Sequence, residues 1–442
     1  MKSGGKRKKS AARTKTVSPF TLLIKPAGPD CNLRCSYCFY LPKQALFPPS
    51  AGERLEEERE GGAPRSFHRM SDEVLELLIR SYLQTPQPHY VFNWQGGEPT
   101  LMGLDFFRRA VELQRKYAPA GASVTNTLQT NGTLIDGEWA RFLAEHSFLT
   151  GVSLDGPAEI HDAYRRDSSG QGSFSRVMGG IEQLRSSGAE FNILTMVTSR
   201  SAAEAGGIWA FFRKERFRYQ QYIPCVEFDS RDQPLPYTVS GEEWGRFLLD
   251  IFKAWYPRDV RRVSVRNFDT IINFLAAGEY HSCTMRGTCD AYFVVEHDGG
   301  VYPCDFFVEP RYRLGTVQES SWAELQSSPL YRGFGAQKSR WNAACGSCEY
   351  LDYCSGDCLK MRLRSERDPQ RISWLCRGHH LFLRETLPRF TELARQAREQ
   401  VLGLEGNTEL PPVSREPAEA CFCGSGKKHR NCHMQPRIGA LP

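Results

Sequence analysis

From residue 20 to about residue 230, short runs rich in β-branched and aromatic residues alternate with longer stretches whose apolar residues return every three or four positions. The first kind reads as strands and the second as amphipathic helices. The strands are expected at 21–25, 90–94, 123–129, 149–154, 191–197 and 219–226, and the helices at 72–83, 104–117, 137–146, 173–184 and 203–217. Val74, Leu75, Leu78 and Tyr82 mark the buried stripe of the first helix. Strand and helix in strict alternation predict parallel βα units, here an α/β fold with a partial (β/α)6 barrel of TIM type. Sites in such barrels gather at the carboxyl ends of the strands.

Other stretches break this rhythm. Residues 43–70, with Pro48-Pro49 and a charged run at 53–60, read as an exposed insertion. Residues 241–282 return to helical periodicity as a bridge, with Trp244, Phe247, Leu248 and Ile251 on one face. Over 283–380 cysteine, glycine and aromatic residues crowd together without a clear period, which suggests a segment held by metal more than by an apolar core. A helix and a proline-containing linker are expected at 381–417, and a last small module at 418–436. The barrel is thus assigned to 20–240 and a basic, disordered tail to 1–19.

The 442 residues, 40% hydrophobic and 24% charged, describe a soluble globular protein of more than one domain. No apolar run approaches a membrane span, and the one at 20–24 is too short for a signal-peptide core. A cytoplasmic protein without a membrane partner is expected. The net charge of +6 suggests nucleic acid until it is located: the first fifteen residues hold seven lysines and arginines and no acid. The remainder is close to neutral, so a solvated tail is expected ahead of contact with RNA.

Fifteen cysteines without an export signal point to metal ligation and away from disulfides. Cys31, Cys35 and Cys38 follow the first strand in one short loop. Three thiolates suit a cubane iron–sulfur cluster whose fourth iron stays open to a substrate or cofactor, and a partial zinc knuckle is the alternative. Eight more, at 283, 289, 304, 345, 348, 354, 358 and 376, are twice the number that ligates one cubane cluster, although spacing alone leaves zinc open. Cys421, Cys423, Cys432 and His433 make a complete tetrahedral zinc set. Cys225 stands alone and reads as a small buried residue at the end of the sixth strand, with a direct substrate role as the alternative.

The expected strand ends carry polar groups. In Gln95-Gly96-Gly97-Glu98-Pro99 the glycines let a ligand approach the backbone, and Glu98 suits the ammonium of a bound amino acid. Gln129-Thr130-Asn131-Gly132 and Ser153-Leu154-Asp155-Gly156-Pro157 are placed to line the same mouth, with turn capping as the alternative role of Asn131 and Asp155.

The C-x3-C-x2-C spacing with Tyr37 before its last cysteine resembles the radical S-adenosylmethionine (SAM) superfamily. The resemblance implies SAM as cofactor, with Tyr37, Gly96, Gly97, Glu98 and Ser153 as its contacts. The eight-cysteine block is similar to the SPASM auxiliary-cluster domain. Over about residues 20–380 the chain resembles the anaerobic sulfatase-maturating enzymes, including Tyr302-Pro303-Cys304-Asp305-Phe306-Phe307 and Ile160-His161-Asp162 with Arg165.

That resemblance implies three 4Fe–4S clusters. Their ligands would be Cys31, Cys35 and Cys38; Cys283, Cys289, Cys304 and Cys358; and Cys345, Cys348, Cys354 and Cys376. It implies Asp305 as general base; Asp290 and Asp357, which also stand beside cysteines, are weaker candidates with a structural role as the alternative. The implied reaction oxidises a cysteine or serine, in an unfolded or nascent segment of a client sulfatase, to Cα-formylglycine, with a reductant such as flavodoxin or ferredoxin. Two other readings stand beside it: another SPASM peptide-modifying enzyme, for example one forming thioethers, and a non-catalytic zinc-binding scaffold. The last module resembles the SEC-C zinc motif, with Phe422 where proline is usual, and suggests recruitment of a protein partner, nucleic acid at its basic cluster being the alternative.

Overall fold

The computed structural model describes residues 17–47, 68–364 and 367–402. The basic tail, most of the 43–70 insertion and the C-terminal zinc motif lie outside the described residues.

The first strand, β1 (Thr21–Lys25), is followed by β2 (His89–Trp94), β3 (Ser123–Thr130), β4 (Leu149–Ser153), β5 (Phe191–Val197) and β6 (Tyr219–Pro224), each parallel to the one before. Between them run α1 (Asp72–Leu83), α2 (Leu104–Tyr117), α3 (Gly137–Glu145), α4 (Phe174–Ser187) and α5 (Ala205–Lys214). Strict burial on one stripe explains the helices: in α1, Leu75, Leu78, Ile79 and Tyr82 are wholly enclosed. Ser71 caps its first turn by accepting from the Val74 N–H, and Asp72 and Glu73 complement the helix dipole there.

The sheet does not end with six strands. After α6 (Gly241–Trp255), a two-residue β7 (Ser264–Val265) pairs parallel with β6, and α7 (Arg266–Ala277) follows. The chain then returns to the opposite edge, where β8 (Tyr292–Glu296) pairs parallel with β1, and β9 (Gly300–Tyr302) and β10 (Gly315–Thr316) add an antiparallel extension. The order is therefore β10-β9-β8-β1-β2-β3-β4-β5-β6-β7. The region expected to rest on metal more than on an apolar core has an apolar anchor as well: Phe293, Val294 and Val295 are fully buried. Its strand satisfies the backbone groups that β1 would otherwise leave open at a sheet edge.

A long helix, α8 (Cys376–Leu402), ties this region back to the barrel along α6. Their close start depends on glycine, because a Cβ on Gly378 would stand 1.9 Å from the Gly241 carbonyl oxygen. Farther along, the Phe390 ring packs 5.1 Å from Phe252 and 5.6 Å from Phe268. Among the described residues no helix is long and apolar enough to cross a membrane.

Candidate active site

The three-cysteine loop follows β1 at the carboxyl end of the sheet and is held by backbone pairing to the segment after β4. The Arg34 N–H donates to the Arg166 carbonyl at 2.6 Å, Ser36 to Tyr164 at 3.2 Å, and Leu33 bridges Asp167. Inside the loop the Cys38 N–H donates to the Cys35 carbonyl at 3.0 Å. Burial pushes the Cys31 thiol far up and the Cys35 thiol to about 11. Burial thus favours the neutral thiol, and the thiolate form that ligates iron would need a cation to offset that cost.

The glycine turn after β2 is zipped onto the same stretch. Gly97 donates to the Gly28 carbonyl at 2.9 Å and Glu98 to that of Asp30 at 2.7 Å. A Cβ on Gly97 would lie 2.0 Å from the Asp30 oxygen, and Gly96 takes a φ of +136°. Both glycines therefore serve the close approach of two backbone segments. Glu98 is wholly buried, and its carboxylate accepts from the Thr100 N–H and hydroxyl, the Thr130 hydroxyl and the Asn131 N–H. Burial raises its pKa in spite of these four donors. Its carboxylate braces the ends of β2 and β3 beneath the cysteine loop. Asn131 continues the brace, donating to Asn32 at 2.8 Å and to the Cys31 sulfur at 3.7 Å.

Tyr37 is also buried, and its hydroxyl donates to Asp155. Arg165 reaches the same carboxylate with Nε at 2.9 Å and lies over the Tyr37 ring at 5.4 Å. Asp155 thereby fixes the aromatic face beside Cys38, which goes beyond capping a turn. Ser153 is half-buried at the end of β4 and accepts from Gln129 at 3.2 Å.

Asp305 descends over this mouth from the cysteine-rich region and is 8% exposed. It forms an ion pair with Lys25, whose side chain is fully enclosed, and Gln95 Nε2 lies 3.4 Å from its Oδ2. Lys25 Nζ also stands 3.4 Å from the centre of the Tyr40 ring, and the Tyr40 hydroxyl donates to Glu296 at 2.6 Å. The register of β1 with β8 sets Lys25 beside Glu296. Burial raises the Glu296 carboxyl to about 7, with Lys25 and the Tyr40 hydroxyl restraining the rise. Sequence reasoning misses Lys25, Tyr40, Gln95 and Glu296 as site residues. The usable signal is a charge closing each of two apolar strands, Lys25 in one and Glu296 in the other.

The eight thiols of the cysteine-rich region fall into two groups. Cys289 packs on the apolar cluster that holds Cys304, and Cys358 is pushed well up by burial and then by Cys304, Cys283, Asp357 and Cys289. Tyr292 donates to the Cys304 sulfur at 3.3 Å. Cys345, Cys348, Cys354 and Cys376 line one cavity with Asp357, His379 and His380. All twelve cysteines among the described residues are free thiols. Unbridged soft donors in these groups, most of them half-buried, fit iron–sulfur clusters, one open set of three and two closed sets of four. Asp290 is exposed and receives the Thr288 hydroxyl. Cys225 is 3% exposed behind the end of β6. A cavity of about 600 Å³ lies at the opposite, amino end of the strands, lined by Arg185, Arg216 and Arg218, and holds none of these groups.

Family models match three parts of the chain: the Radical SAM superfamily over residues 26–202, an iron–sulfur cluster-binding domain (SPASM) over 278–349, and the SEC-C motif over 418–435. A cysteine-type anaerobic sulfatase-maturating enzyme of Clostridium perfringens is 37% identical over 382 residues, covering 86% of this chain and 99% of that one. A serine-type enzyme of Bacteroides thetaiotaomicron is 34% identical over 390 residues, covering 84% and 90%. The solved structure of native anSMEcpe with bound AdoMet and Cp18Cys peptide superposes with a TM-score of 0.78 at 36% identity, covering 86% of this chain and all of that one.

Proposed function

The chain belongs to the anaerobic sulfatase-maturating enzymes of the radical SAM superfamily, and on that footing we propose that Asp305, paired with Lys25, is the base of its reaction. The protein is an enzyme that oxidises a cysteine or serine of a client sulfatase to Cα-formylglycine, with SAM and iron–sulfur clusters as cofactors. When bound, SAM on the open cluster supplies the hydrogen-abstracting radical, and the two closed clusters supply an electron acceptor.

Cys31, Cys35 and Cys38 would hold the first cluster. Cys283, Cys289, Cys304 and Cys358 would hold the second, and Cys345, Cys348, Cys354 and Cys376 the third. The backbone of Gly96 and Gly97, with Tyr37, Glu98 and Ser153, would shape the SAM site, Glu98 and Asp155 acting from beneath as braces. Asp305 takes the proton of the target thiol or hydroxyl, and Lys25 supplies its counter-charge in a site closed to water. Gln95 steadies the other carboxylate oxygen. Phe39 and Phe306, 4.8 Å apart, cover the approach together with Lys360, which pairs with Glu227. A low-potential carrier such as flavodoxin or ferredoxin would deliver the electron, and Cys421, Cys423, Cys432 and His433 would hold zinc.

The observation that carries this reading is the buried Lys25–Asp305 pair above the cysteine loop. The test is anaerobic incubation of the iron-loaded protein with SAM, a reductant and two peptides, one bearing Cys-x-Pro-x-Arg and one bearing serine in its place. A mass spectrum should show an aldehyde from at least one of them. A crosslinked product or an unmodified pair would defeat the assignment.

A further inference from the structure

The loop Cys354-Ser355-Gly356-Asp357-Cys358 joins the two four-thiol sets, since its first cysteine lies in one and its last in the other. Its three middle residues have φ of +46°, +70° and +68°. This left-handed backbone is natural for Gly356 and unfavourable for Ser355 and Asp357. Asp357 is 4% exposed and lines the cavity of Cys345, Cys348, Cys354 and Cys376. Three donors fix it: Cys358 N–H on Oδ1 at 2.7 Å, and on Oδ2 the Ser373 hydroxyl at 2.6 Å and His379 Nε2 at 3.3 Å. A carboxylate this enclosed carries a desolvation cost that an uncharged residue would avoid. It lies against both thiol sets, its side chain lining the cavity of Cys345, Cys348, Cys354 and Cys376 while its Oδ1 holds the backbone N–H of Cys358 from the other set.

We propose that Asp357 is a positioning residue whose negative charge, partly offset by the His379 N–H, sets the reduction potentials of the two auxiliary clusters. The cluster in the Cys345 cavity is affected more than its neighbour. A fixed negative charge beside a cluster disfavours the gain of an electron and lowers its potential. Asp357 and His379 would thus adjust the driving force for an electron passing between the two sets. The inference rests on the ligand sets proposed above.

The test is an anaerobic redox titration of the full, iron-loaded enzyme followed by electron paramagnetic resonance, with Asp357→Asn and His379→Phe compared to wild type. Asp357→Asn should move both auxiliary potentials positive, the cluster of the Cys345 set further. His379→Phe should move that same cluster negative, because the charge loses a donor. Opposite signs distinguish a charge effect from a general loosening of the loop. Unmoved potentials, or shifts of the same sign in both variants, would overturn the proposal. Should Asp357→Asn fail to retain its clusters, the sign of the His379→Phe shift decides. An iron count far below about twelve per chain in the wild type would instead remove the ligand assignment on which the inference stands.

Discussion

Lys25 and Asp305 form an ion pair across the seam between barrel and cysteine-rich region, with side chains 0% and 11% exposed. The Lys25 ammonium serves two carboxylates at this seam, since Glu296 lies beside it in register and Asp305 in contact. Replacing it by methionine leaves both acids buried without that compensation. Lys25→Met is expected to lose about 3–5 kcal/mol of stability, the range for breaking a buried pair from one side. Anaerobic denaturant titration checks this, and a loss below about 1 kcal/mol would show that the pair is not closed to water.

The Glu296 carboxyl sits at about 7 in the fold against 4.5 for the free group. Between these two values the folded state holds a proton that the unfolded state has released, so stability falls as pH rises through this window. The contribution is on the order of 3 kcal/mol, at about 1.4 kcal/mol per unit. Glu296→Gln should flatten the dependence of melting temperature on pH between about 5 and 7 and melt higher than wild type at pH 8. Parallel profiles would show that Glu296 stays ionised.

Gly97 has no room for a side chain, because a Cβ there would meet the Asp30 oxygen at 2.0 Å. Gly97→Ala must push the glycine turn off the segment that leads into the cysteine loop. A destabilisation of about 1–3 kcal/mol is expected, as for overpacking elsewhere, with SAM affinity reduced at least tenfold by equilibrium dialysis. Unchanged affinity would detach this turn from the cofactor site.

The iron and zinc sites are expected to be separable. Cys432→Ser should lower zinc content, measured by elemental analysis, while iron content and SAM cleavage stay at wild-type levels. Loss of iron with the zinc would mean that the last module supports the clusters.

Much of this architecture is legible in the sequence because it is local. The six strands and five helices show themselves by period, and Cys31, Cys35 and Cys38 lie within one loop, so spacing alone suggests their chemistry. Asp305 is legible by resemblance, since one acid beside a cysteine carries no signal of its own. Lys25 and Glu296 meet only because β8 returns to pair with β1, a contact between distant parts of the chain that no local pattern encodes. The same return hides the apolar strand Tyr292–Glu296 among cysteines and makes the region look dependent on metal more than on an apolar core. Glu98 is visible as part of a motif, but its donors Thr130 and Asn131 belong to the end of the next strand, and its bracing role emerges only when the strands are side by side.

The most direct measurement is the ratio of aldehyde formed to SAM cleaved in Asp305→Asn, with the client peptide and under anaerobic reduction. Loss of a positioned base typically slows its step by about 10²–10⁴-fold. SAM cleavage should persist while aldehyde yield falls by at least 10²-fold, on the order of that range. A variant that forms aldehyde at the wild-type ratio would contradict the role given to Asp305 and to the lysine that holds it.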